Sequence, residues 1–141
     1  MTVLITMVST QLLDREEERM ELSVRGRLSY HGGTTRLLYT ETDDEGTATR
    51  VTITCTPQEV TVERTSPHAH SLMRLRTGER YPCDYGTPFG VIPLVTHTHR
   101  LCNRLTPSGG TLELAYALEM GGDPIENTLH LRVQRTEEIL Q

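Results

Sequence analysis

Nine short segments of this chain alternate apolar and polar residues, and almost nowhere does a helix-length stretch show a 3.6-residue period. A chain patterned this way buries one face of each strand and solvates the other, so it must roll or stack its sheet. Residues 2–9 open with Val3, Ile5 and Met7 on one side. Residues 11–19 read as a charged link, with room for one helical turn. Met20, Leu22, Val24, Leu28 and Tyr30 then alternate with Glu21, Ser23, Arg25, Arg27 and Ser29, and Gly26 falls on the apolar side.

Turn chemistry sets the register of the next three hairpins. A two-residue Gly32-Gly33 loop puts Leu28 opposite Leu37, and Gly26 opposite Tyr39, whose ring covers the missing side chain. Asp43-Asp44-Glu45-Gly46-Thr47 fits a three-residue loop with Gly46 at positive φ, which pairs Leu37 with Ile53 and Tyr39 with Val51. Any even-length loop at Pro57-Gln58 pairs Cys55 with Val60, Ile53 with Val62 and Val51 with Arg64. The three turns agree on one inner face, and they place Glu41 and Arg64 on it.

Beyond this point residues 66–71 read as a loop and residues 72–76 as a short strand with Met73 and Leu75 opposed to Arg74 and Arg76. Residues 80–90 carry three turn-formers among aromatics. Residues 91–106 are extended but too long for one unbroken strand, so a bend or bulge is expected there. Leu112, Leu114, Tyr116, Leu118 and Met120 line one later strand, and Leu129, Leu131 and Val133 the last; the polar tail from Arg135 is expected to fray. Strands joined by short turns predict an all-β fold, a single antiparallel closed or nearly closed barrel of about 8–10 strands spanning residues 1–141 as one domain. The link at residues 11–19 is the one place for a Greek-key crossover.

Composition narrows the function classes. With 141 residues the chain has enough material for a core without disulfide or metal staples, and its net charge of −5, with every basic residue an arginine, offers no general attraction to nucleic acid or an anionic bilayer. No stretch approaches the roughly 18 apolar residues of a membrane span. Cys55, Cys83 and Cys102 are odd in number and widely spaced, which points to reduced thiols and a cytoplasmic location. No motif calls for a cofactor: Walker, Gly-x-Gly-x-x-Gly, His-Glu-x-x-His and Gly-x-Ser-x-Gly patterns are all missing. Oligomeric state is left open.

Tyr85-Gly86-Thr87-Pro88-Phe89-Gly90 before an apolar strand resembles the YwiB-like family of bacterial domains of unknown function. Val3-x-Ile5 with Ser9-x-Gln11 after it, Tyr39-x-Glu41, Arg64 and the stretch from Gly110 to Tyr116 fall in that family's order. The resemblance implies a lipocalin-like (calycin) barrel with room for a ligand, and carries no established activity. Two places depart from the pattern: Arg64-Thr65-Ser66 replaces Arg-x-Gly, and Met73-Arg74-Leu75 replaces Met-x-Phe. His68 and His70 are not features of the family.

The inward pair Glu41 and Arg64 is the strongest chemical signal, because ionised groups on the inner face of a barrel need partners to offset lost hydration. One reading makes Arg64 the fork-shaped anchor for a small polar or anionic ligand, with Tyr39 and Tyr85 as walls. The competing reading is a salt bridge that sets register inside a barrel filled by side chains. A third is metal binding by His68-Ala69-His70 or His97-Thr98-His99, since residues two apart on a strand point the same way; a bulge would turn His97 and His99 away from the inner side. Accidental spacing is favoured for the histidines, and inert thiols for Cys83 and Cys102. Asp43-Asp44-Glu45-Gly46 lacks calcium-loop spacing and reads as a charged hairpin tip. Thr87-Pro88-Phe89-Gly90 reads as a tight turn whose Phe89 plugs a barrel end with Tyr85 behind it, or as a lid over a cavity mouth.

Overall fold

The computed structural model describes residues 1–136. Ten antiparallel strands succeed one another: β1 (Thr2–Leu13), β2 (Glu16–His31), β3 (Thr34–Thr42), β4 (Ala48–Cys55), β5 (Val60–Thr65), β6 (His70–Leu75), β7 (Arg80–Thr87), β8 (Gly90–Thr106), β9 (Gly109–Glu119) and β10 (Ile125–Arg135). Each pairs with its sequence neighbours, and β1 with β10, so the sheet closes into a barrel with no crossover. No helix among the described residues is long and apolar enough to cross a membrane.

All three early hairpins take the expected register. Leu28 faces Leu37, Gly26 faces Tyr39, Leu37 faces Ile53, Tyr39 faces Val51, Ile53 faces Val62 and Val51 faces Arg64. Gly32, Gly33 and Gly46 take positive φ, as their turns require. Asp43 caps its own loop, its side chain accepting from the amides of Glu45 and Thr47 at 2.9 and 2.8 Å. The resulting inner face buries Val3, Ile5, Leu28, Leu37, Ile53, Val62, Leu112 and Leu131 almost completely. Side chains of that size give roughly 1.5–3 kcal/mol each on burial, which is why this end of the barrel is close-packed.

Four expectations need correction. Residues 11–19 are neither link nor crossover: β1 and β2 pair without a break from Thr2 with Arg27 to Leu13 with Glu16. Asp14 and Arg15, both at positive φ, make the turn, and no glycine announces it. Residues 80–90 contain a full strand, so there are ten strands where the alternation marks nine. Pro82 is tolerated within β7 because β6 pairs with that strand only at His70–Gly86 and Ser71–Tyr85 before the two splay apart. In that gap the Thr96 hydroxyl lies 3.1 Å from the Arg74 carbonyl and 3.3 Å from the Tyr81 carbonyl, donating to one at a time. Phe89 is not a plug: it sits fully exposed at the tip of the β7–β8 hairpin. Finally, Arg135 is paired with Val3 and belongs to β10; the rest of the polar tail, residues 137–141, lies outside the described residues.

The bulge expected in the long eighth strand lies between Thr98 and Arg100. Before it Thr96 and Thr98 face inward; after it Leu101 pairs with Leu114 and takes over the inner side.

Candidate functional site

A single cross-strand row builds the site. Gly26, Tyr39, Val51, Arg64, Ser71, Tyr85 and Ile92 are successive partners from β2 to β8. Three of the four residues singled out from sequence, Tyr39, Arg64 and Tyr85, therefore lie on one row, and Glu41 lies two residues further along β3. Gly26 permits the row to start: a Cβ there would stand 2.5 Å from the Leu38 carbonyl oxygen and 2.7 Å from Ile5 Cδ1.

Around Arg64 the barrel interior opens into a cup of about 460 Å³. Arg64, Ser71, Tyr85 and Tyr116 bring polar groups to the cup, as do Gln11, Glu18, Arg19 and Asn127 on β1, β2 and β10, and Met7, Met20, Met73, Leu94, Leu114 and Leu118 make its apolar wall. A smaller recess of about 180 Å³ on the other side of Arg64 is reached by Thr49, Ser66, His70, Ser71 and Tyr85. Arg64 thus stands between two spaces. Tyr39 and Glu41 line neither; they lie behind it.

Arg64 Nη1 donates to Glu41 Oε2 at 3.0 Å, with the two side chains 37% and 20% exposed. Burial alone would lower the Arg64 pKa, but the Glu41 carboxylate, with Tyr39 adding to it, more than reverses this and the net shift is upward. The Tyr39 phenol is pushed above its usual value by burial first and the nearby Glu41 charge second, with Arg64 opposing. Tyr39 Oη and Glu41 Oε1 are neighbours, yet both are buried without a well-formed hydrogen bond. Tyr116 is likewise raised, by burial, against the pull of Arg64. One guanidinium therefore organises a carboxylate and two phenols.

Glu41→Gln is expected to lower stability by about 1–2 kcal/mol, less than a fully buried pair would lose because Arg64 keeps some solvent. Arg25→Gln, on the exposed outer side of β2, should change it by less than about 0.5 kcal/mol. Urea midpoints of the two variants decide it, and equal midpoints would remove the inward pair from the account of stability.

The remaining candidates do not converge. His70 Nε2 lies 3.1 Å from Glu63 Oε2, and His68 is exposed in the turn before it. His97 and His99 stack edge-to-face, centroids 4.7 Å apart, and His99 Nε2 is 3.0 Å from Glu126 Oε2. Among the described residues no three His, Cys, Asp or Glu side chains are grouped to hold a metal ion. Burial raises the Cys83 thiol, against a hydrogen bond from the Leu72 amide, and pushes Cys55 up to about 12, so neither is a ready nucleophile. Ser71, Cys83 and Tyr116 are site residues that sequence reasoning missed: Ser71 is the cross-strand partner of Arg64 in a stretch expected to be a loop, and only the closure of the barrel brings Tyr116 to Arg64.

A family model described as Domain of unknown function (DUF1934) matches residues 5–131. The chain belongs to that family. This DUF1934 chain is also similar to the solved structure titled "Crystal structure of ywiB protein from Bacillus subtilis", with a TM-score of 0.81, 22% identity and coverage of 95% of this chain and 92% of that one. At that identity the likeness is one of fold. Comparison with curated proteins found no match.

Proposed function

We propose that this DUF1934 barrel is a non-catalytic binder of a small amphipathic ligand, seated in the cup with a polar or anionic group on Arg64. The supporting observation is that Arg64 lines a cup with an apolar wall of methionines and leucines and a polar remainder, while one of its nitrogens is held by Glu41. An arginine so oriented loses little rotamer freedom when it binds an acceptor, and its other N–H groups remain for a planar or anionic head. Ser71 and Tyr85 flank it along the same row, and methionines in the wall adapt to varied apolar shapes. Tyr39 and Glu41 serve the ligand through Arg64. A calycin-type carrier role and a cytoplasmic location complete the reading; free Cys55, Cys83 and Cys102 fit a reducing compartment.

The test uses 1-anilinonaphthalene-8-sulfonate, an apolar aryl body with a sulfonate head. Fluorescence titration is expected to show saturable binding to the native protein. A folded Arg64→Met, Glu41→Gln double variant, which removes both charges together, should bind about tenfold more weakly, and Leu114→Trp should block the cup. Native mass spectrometry of the purified protein looks for a resident small molecule in parallel. Unchanged dye affinity in both variants would rule out the cup as the binding site.

A further inference from the structure

The barrel wall is incomplete beside the cup. Pairing between β2 and β3 starts at His31–Thr34 and stops at Gly26–Tyr39, while β2 runs on to Glu16 with β1 as its partner on the other side. Residues 16–25 therefore present one unpaired strand edge, of which Glu18, Arg19 and Met20 also line the cup. The N-terminus fixes which backbone groups face that edge. Leu28 donates its amide to the Met1 carbonyl at 2.8 Å, and the Met1 amine donates to the Leu28 carbonyl at 3.2 Å, so even-numbered β2 residues bond to β1. Glu17, Arg19, Glu21, Ser23 and Arg25 then direct their N–H and C=O groups to the open edge.

Exposed edges are normally blunted by proline, a bulge or a covering segment. Another overhang of the barrel shows such a device: residues 90–94 of β8 extend past the last β9 partner, Glu119, and contain Pro93. The β2 overhang has neither proline nor glycine from residue 16 to 25, and every residue of it is exposed or half-exposed. Instead its charges form a self-complementary sequence. Within one chain Arg19 Nη2 donates to Glu21 Oε1 at 3.1 Å, both side chains well exposed; two copies of β2 laid antiparallel about a two-fold axis at Met20 let the same groups pair between chains, Arg19 opposite the second copy's Glu21, twice by symmetry, and place Glu17 opposite Ser23. On the cup-facing side the same register sets Met20 against Met20 and Leu22 against Glu18. Moving the axis one residue either way puts Glu21 against Glu21 or Arg19 against Arg19, which like-charge repulsion opposes.

We infer that this edge is a self-association surface: two copies of the chain pair through β2 of each, antiparallel and centred on Met20, and continue the sheet from one barrel into the next.

Sedimentation velocity across a concentration series tests it. The native chain is expected to form a dimer. Arg19→Glu and Glu21→Arg, each at an exposed position, should separately weaken it by at least about tenfold, because each creates two like-charge contacts. An equimolar mixture of the two variants should recover the dimer, since the carboxylate introduced on one chain then meets the guanidinium introduced on the other. Circular dichroism confirms that each variant is folded. A monomer at every concentration would overturn the inference. So would a dimer indifferent to both charge reversals, or failure of the mixture to reassociate, either of which places the contact elsewhere.

Discussion

Gly110→Val is expected to leave the chain largely unfolded under conditions where the native protein is stable. Gly110 opens β9 against two strands at once, paired with Leu105 of β8 and with Val133 of β10. Its φ is +136°, and a Cβ would stand 2.2 Å from the Arg104 carbonyl oxygen and 3.2 Å from Leu105 Cα. Neither neighbour is a flexible side-chain tip; both are backbone in a paired strand. Relief would require breaking the β8–β9 ladder where it begins, next to Gly109, whose own added Cβ would meet the Val133 carbonyl at 2.5 Å. Such a substitution combines strained backbone with a clash, and the expected loss is more than about 4 kcal/mol, a large share of a small domain's stability. Gly122→Ala is the control: it lies in the β9–β10 turn with nothing within 4 Å of an added Cβ, and should be neutral or slightly stabilising. Urea unfolding of the three proteins checks this, and a Gly110→Val midpoint close to native would mean that β9 enters the sheet differently.

How far such features are legible depends on how locally each is encoded. The register from β2 to β5 can be read because Gly32-Gly33, Gly46 and Pro57 each confine their turn to few geometries, and strand parity then carries the pairing outward. Hence the Glu41–Arg64 pair is foreseeable from sequence. The β1–β2 turn is not, because Asp14 and Arg15 adopt positive φ with no glycine to signal it, and the run Glu16-Glu17-Glu18 hides the alternation that continues through it. β7 escapes notice because Pro82 and Gly86 usually interrupt strands; Pro82 survives where β6 has turned away and asks for no ladder bond, while Gly86 is paired with His70. Phe89 looks like a plug by composition alone, whereas its place at a hairpin tip leaves it nothing to pack on. The place of Tyr116 beside Arg64 is illegible for a different reason. Tyr116 reaches Arg64 only because β9 and β5 lie on opposite sides of a closed barrel, and no turn between them records that distance. The unpaired edge of β2 is likewise hidden, since alternation marks which face is buried and says nothing of which strand stands beside it.

Raising the pH from 9 to 11 is expected to destabilise the barrel, and Cys55 is the residue through which much of the loss runs. Its thiol is buried with 1% exposure, facing Thr35 and Val60 across the sheet, and burial raises it from 9.0 to about 12. In the unfolded chain the thiol ionises near its ordinary value, whereas in the barrel it stays protonated. Between those two values the folded state binds more protons than the unfolded state, so stability falls as pH rises. The contribution is complete below about pH 9 and is lost progressively toward pH 12, amounting to about 2–3 kcal/mol at pH 11. Cys83, Tyr39 and Tyr116 are raised by the same cause and act with the same sign. Cys55→Val, which keeps a compact apolar group on a strand, should remove the thiol's share. Its unfolding free energy should decline less steeply than that of the native protein above pH 9, with the two curves diverging by about 2 kcal/mol by pH 11. Denaturation series at pH 7, 9, 10 and 11 for both proteins provide the measurement. Parallel curves would show that the Cys55 thiol is ionised, or hydrated, inside the fold, and the packed end of the barrel would then have to admit water.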